Sequence, residues 1–208
     1  IKIGRRNYGF GKIIINVTKR RKSEEFHKNK NYSLAHLMGP ALIVKVYHKL
    51  SDTKNIDIEE LKHCSSFPGQ AVMDNHIYYN ENPIIGHLPV SNTDMNDANL
   101  SVSKSINYDD RNIAYLQYGL IYKEIPLEEY IKHEEEHWHA YRNEGIGFGL
   151  FIGGLEDCIK EKSNNKFFER YTNDLRAPQH AKDREIIFKL FGLDANLDYL
   201  GNLELSKQ

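Results

Sequence analysis

The chain is poor in cysteine: Cys64 and Cys158 are the only two in 208 residues. Two cysteines make no disulfide framework, so the fold has to rest on a packed core, with a single bridge left open. Net charge is nearly absent as well, with 28 basic side chains against 29 acidic ones. That balance excludes the overall positive excess that steers nucleic-acid-binding domains to phosphate. No apolar run is long enough to span a bilayer, and no secretory signal stands at the start. Repeats and low-complexity stretches are missing too, which sets aside solenoids and linker-like chains.

What is present fits a globular α+β protein. Hydrophobic residues make up 40% and charged residues 27%, enough for a real core in a chain of this length. The charge is uneven. Lys2, Arg5, Arg6, Lys12, Lys19, Arg20, Arg21, Lys22, Lys28 and Lys30 face only Glu24 and Glu25 within residues 1–30. A basic, partly mobile arm is expected over 1–30, suited to an acidic partner or an anionic surface, with one domain over 31–208. The chain begins on isoleucine, as a processed product or a piece of a longer protein would.

Strand signals come first. Phe10 to Val17 is a β-branched run, and Ala41 to Tyr47 reads as a buried strand. Ile56 to Cys64 is expected to be helical, with Asp57 as N-cap. Phe67-Pro68-Gly69 reads as a turn, and Met73 to Tyr79 with Pro83 to Leu88 as a hairpin. Asn92 to Asn99 reads as a polar loop, and the alternation of Leu100, Val102, Ile106 and Tyr108 as a half-exposed strand. Ile113 to Tyr122 is ambiguous between strand and helix. The last third is mostly helical, over 155–162, 167–173 and 182–191. Strands first and helices later read as α+β, with a helical C-terminal part.

One stretch names a chemistry. His133-Glu134-Glu135-Glu136-His137 matches H-E-x-x-H. Histidines four apart on a helix share a face, about 6 Å apart, and can reach one metal ion. The glutamate after the first can take a proton from a metal-bound water. Pro126 and Leu127-Glu128-Glu129 suit a helix start, and Gly145 a helix end. Glu134 falls among the apolar stripe of Leu127, Ile131, Trp138 and Tyr141, whereas Glu135 and Glu136 point to solvent. A carboxylate placed among apolar side chains needs a partner or a task.

The motif resembles that of the zincin metallopeptidases. The resemblance implies a zincin-like α+β fold with a mixed sheet in the N-terminal half, a bound Zn2+, His133 and His137 as ligands and Glu134 as general base. It departs from the family in having Glu135 and Glu136 at middle positions that are usually uncharged. Similarity to the thermolysin-like gluzincins implies a third ligand on the next helix, roughly twenty residues on. Glu156 is the favoured residue and Asp157 the alternative. Lys160 stands where those enzymes carry an aspartate. Asp174, His180 and Asp183 are further candidates. The metzincin pattern is not met, since Ala140 and Asn143 occupy its glycine and third-histidine positions. Tyr171, Tyr141 or His180 could donate to the oxyanion, with Tyr171 taken as the catalytic candidate.

The expected activity is therefore hydrolysis of a protein or peptide substrate. The segment Tyr171 to Arg176 is similar to polar segments of small bacterial effector and toxin metallopeptidases, which implies a soluble, secreted effector. Two alternatives stand beside this reading. One is a non-enzymatic structural or interaction domain with a basic N-terminal arm. The other is a zinc hydrolase of another bond type.

Overall fold

The continuous apolar run Ala41-Leu42-Ile43-Val44 has no polar face to offer solvent, and it becomes a central strand. In the computed structural model, which describes residues 6–21, 41–74, 79, 82–104, 112–136, 155–170, 172 and 174–207, this strand is β2 (Ala41–Ser51), buried from Ala41 to His48. It lies between β1 (Tyr8–Asn16) and β3 (Gln70–Met73), both antiparallel to it. Two register shifts, between Gly9 and Gly11 and between Ile13 and Ile15, bend β1 along β2. The segment expected to be a basic arm thus supplies an edge strand, which buries Phe10, Ile14 and Ile15. Val17–Arg21 continues it as a short helix, α1.

The chain divides into two compact units, Ile1–Ala98 with Gly147–Arg170, and Asn99–Ile146 with Tyr171–Gln208. The first holds the β1–β2–β3 sheet. Helix α2 (Ile58–Leu61) starts at Asp57, whose carboxylate accepts from the Glu59 N–H, as the sequence implied. Phe67-Pro68-Gly69 is not an open turn: all three are buried, and Phe67 N–H donates to the Val46 carbonyl. The second arm of the expected hairpin is also not a strand. Residues 82–90 are irregular, as two prolines that cannot donate to a ladder would require. The expected polar loop at 92–99 instead begins with α3 (Asn92–Asn96), closed by a capping box between Ser91 and Asp94. Helix α5 (Leu155–Glu161) packs on β2, and α6 (Asn165–Arg170) stacks Phe167 on Phe67 at 5.9 Å.

The second unit resolves the ambiguity at 113–122 into two strands. β4 (Leu100–Lys104), β5 (Ile113–Tyr118) and β6 (Ile121–Pro126) form an antiparallel sheet with β5 in the middle. Gly119, at φ 55°, makes the two-residue turn between β5 and β6. α4 (Leu127–Glu136) follows, then a 3-10 turn at Pro178–His180, α7 (Ala181–Leu190) and α8 (Tyr199–Leu205). Tyr118, Phe188 and Tyr199 meet in one aromatic cluster, and Tyr130 of α4 faces Phe191. The α+β class holds. The expected mixed sheet does not: among the described residues both sheets are antiparallel.

Candidate functional site

Helix α4 carries the motif region. Its main chain is helical through His133 to Glu136, but the side chains of those residues, and His137, Tyr141 and Tyr171 altogether, lie outside the described residues. Glu156, on α5 in the other unit, accepts from the Asn7 amide at 2.7 Å and pairs with Lys160 at 2.8 Å. The hydrogen bond from Lys160 draws its carboxyl below the ordinary range against some desolvation, and Asn7 adds to the effect. Asp157 is exposed. Asp174 is buried and held by two of the Arg176 guanidinium nitrogens, Nε at 2.9 Å and Nη2 at 2.7 Å. His180 places Nε2 2.5 Å from the Thr172 carbonyl and Nδ1 3.2 Å from Asp183. Among the described residues no group of three or more His, Cys, Asp or Glu side chains is placed to hold a metal ion.

Two features of the first unit were not singled out as functional from the sequence. The first is a buried ion network. Lys45 lies on β2 at 5% exposure, a position the apolar run hides. Its Nζ reaches Asp97 at 2.8 Å and Asp94 at 3.6 Å, and Lys12 Nζ reaches Asp94 at 2.6 Å. Burial pushes the Asp94 carboxyl up, but the hydrogen bonds from Lys12 and Ser91 outweigh it and hold the group below its usual value. Nearby, burial first and the Asp94 charge second push the Tyr47 phenol up to about 12. His48 is lowered by burial; its Nδ1 sits 2.8 Å from Ser65 Oγ and its ring edge meets Phe67 at 4.2 Å.

The second feature rests on the first. Lys12 also donates to the Pro89 carbonyl at 2.6 Å, so the ion network anchors the segment Asn82 to Val90. Leu88 of that segment packs on the buried cluster of Phe10, Tyr47 and Leu61. Gly86 lies so close to α2 that a Cβ there would stand 1.7 Å from Ile58 Cδ1. On either side of these anchors Ile84 is 70% exposed, Ile85 44% and Val90 46%. The signal was present in the sequence, as two prolines bracketing apolar residues without a charge. Reading the segment as a hairpin arm hid it.

Comparison with known proteins bears on the first half of the chain. A family model described as Immunity protein 26 matches residues 1–112, more than half of the 208. No curated protein and no solved structure matched the chain. The match overturns the zincin resemblance, and with it the metallopeptidase activity, the enzyme assignment and the toxin or effector role. The physical reason is where the information lies. The matched stretch comprises the whole β1–β2–β3 sheet, the ion network and the exposed segment, whereas H-E-x-x-H lies beyond it. A motif of three specified residues is outweighed by a pattern spread over more than a hundred. The chain belongs to the Immunity protein 26 family.

Proposed function

We propose that this chain protects a cell by binding a toxin polypeptide and blocking it, one chain per toxin, without catalysing a reaction. The observation that carries the reading is the family match over residues 1–112, which takes in the first sheet and its anchored segment. The described chemistry is in keeping with a binding role. The charged groups at the centre of the first unit, Lys12, Lys45, Asp94 and Asp97, are paired with one another, as a structural network requires. No helix among the described residues is long and apolar enough to cross a membrane.

The test is a rescue of growth. Fragments of the source genome are expressed in a host cell with and without this chain, and fragments that stop growth only in its absence are recovered. The expected result is at least one such fragment whose product, purified, binds the chain and is inhibited to an end point at one chain per toxin. Inhibition by sub-stoichiometric chain that grows with time would show turnover and overturn the binding reading. Recovery of no fragment would overturn the immunity reading itself.

A further inference from the structure

We propose that Pro83–Val90 is the surface that enters the toxin, and that it fits an apolar recess edged by basic side chains. The proposal rests on the immunity reading above. Single exposed apolar residues are ordinary on a protein surface; a cluster of them in a charge-free segment is not. The nine residues 82–90 carry no Asp, Glu, Lys or Arg in a chain that is 27% charged. Depletion of charge with exposed aliphatic side chains is the composition of an interface core.

Three further observations sharpen this. The segment is held in shape, by Gly86 against Ile58, by Leu88 in the cluster of Phe10, Tyr47 and Leu61, and by Lys12 on the Pro89 carbonyl. Two prolines restrict its backbone in advance. A segment pinned at three points loses little freedom on binding, which is where preorganised binders gain affinity. Second, among the described residues the main-chain groups of Ile84 to Leu88 make no hydrogen bond, so they are available to a partner's backbone. Third, the helix it rests on is acidic. Asp57, Glu59 and Glu60 are exposed on it; Lys62 pairs with Glu59 and Lys49 of β2 with Glu60, which leaves an excess of one negative charge at Asp57. That flank opposes an anionic membrane or a nucleic acid and favours a partner with a basic rim.

The probe is the toxin recovered by growth rescue, purified and titrated with the full chain by calorimetry. Ile84→Asp/Ile85→Asp is compared with wild type and with Leu197→Asp/Leu200→Asp, which places the same charges on exposed leucines of the other unit. Unchanged melting temperatures establish that both variants fold. The expected result is affinity weakened on the order of 100-fold or more by the isoleucine pair, since two carboxylates would have to be buried in an apolar recess in place of aliphatic side chains. The leucine pair is expected to stay within about threefold. Association with wild type is expected to slow as salt rises. Binding by the isoleucine variant within about threefold of wild type would refute the surface while leaving the immunity reading intact. Failure of wild type to bind or block any recovered toxin would remove both. If wild type sediments as a dimer and the isoleucine variant as a monomer, the segment joins two copies of this chain and the proposal is wrong.

Discussion

Asp94 stands between two ammonium groups, and its removal would leave Lys12 without an ion partner and Lys45 with Asp97 alone in a partly dehydrated site. Asp94→Ala is expected to cost about 3 kcal/mol, read from urea unfolding, because Lys12 loses its ion partner and the capping box with Ser91 opens, while Lys45 keeps Asp97. Its carboxyl titrates lower in the folded chain than in the unfolded one. The stabilisation is therefore complete above the ordinary carboxylate pKa near 4 and is lost as pH falls through the lower folded value. The gap in stability between wild type and Asp94→Asn should narrow as unfolding is measured from about pH 6 down to about pH 2. The motif glutamate gives the opposite expectation. Glu134→Gln and His133→Ala should leave growth rescue within about twofold of wild type, because a binding protein needs no general base. Loss of rescue by a folded Glu134→Gln protein would bring catalysis back into consideration. The motif misled for a countable reason. Ten histidines and 17 glutamates make a chance H-E-x-x-H roughly a one-in-thirty event in such a chain.

At the scale of elements, local chemistry was legible wherever a few neighbouring residues decide the outcome. Asp57 caps α2, and the β-branched runs become β1 and β2, as their sequences imply. The errors fell where local signals compete. Ser91 and Asp94 close a capping box inside a stretch of Asn and Asp that otherwise reads as a loop. Gly119 splits an apolar run into two strands, a choice that depends on the turn conformation and not on hydrophobicity. Its φ of 55° is a region that a Cβ disfavours. Gly119→Ala is expected to lower stability by roughly 1–2 kcal/mol, checked by thermal unfolding, with the loss confined to the second unit in hydrogen exchange of the Leu116 and Tyr122 amides. A variant as stable as wild type would mean that the turn tolerates a side chain.

For the whole molecule, deleting residues 1–30 tests what the basic N-terminus is for. A mobile arm could be removed without harm to the fold. Strand β1 cannot, because it pairs with β2 from Tyr8 opposite Ser51 to Asn16 opposite Leu42 and supplies buried Phe10, Ile14 and Ile15. The truncated chain is expected to lose the cooperative unfolding transition of the first unit, seen by calorimetry as a missing or broadened peak. A preserved transition would return β1 to the status of an accessory strand. What the sequence alone determined is what depends on composition and near neighbours: the α+β class, the early strands, the cap at Asp57 and the low content of disulfide-forming cysteine. What only the tertiary structure decided depends on residues far apart in the chain. Lys45 is buried because Asp94 and Asp97 come to meet it across about fifty positions. Ile84 and Ile85 stay exposed because Lys12, Ile58 and the cluster around Tyr47 hold the segment from beneath. No local pattern contains those meetings; packing of the first sheet creates them.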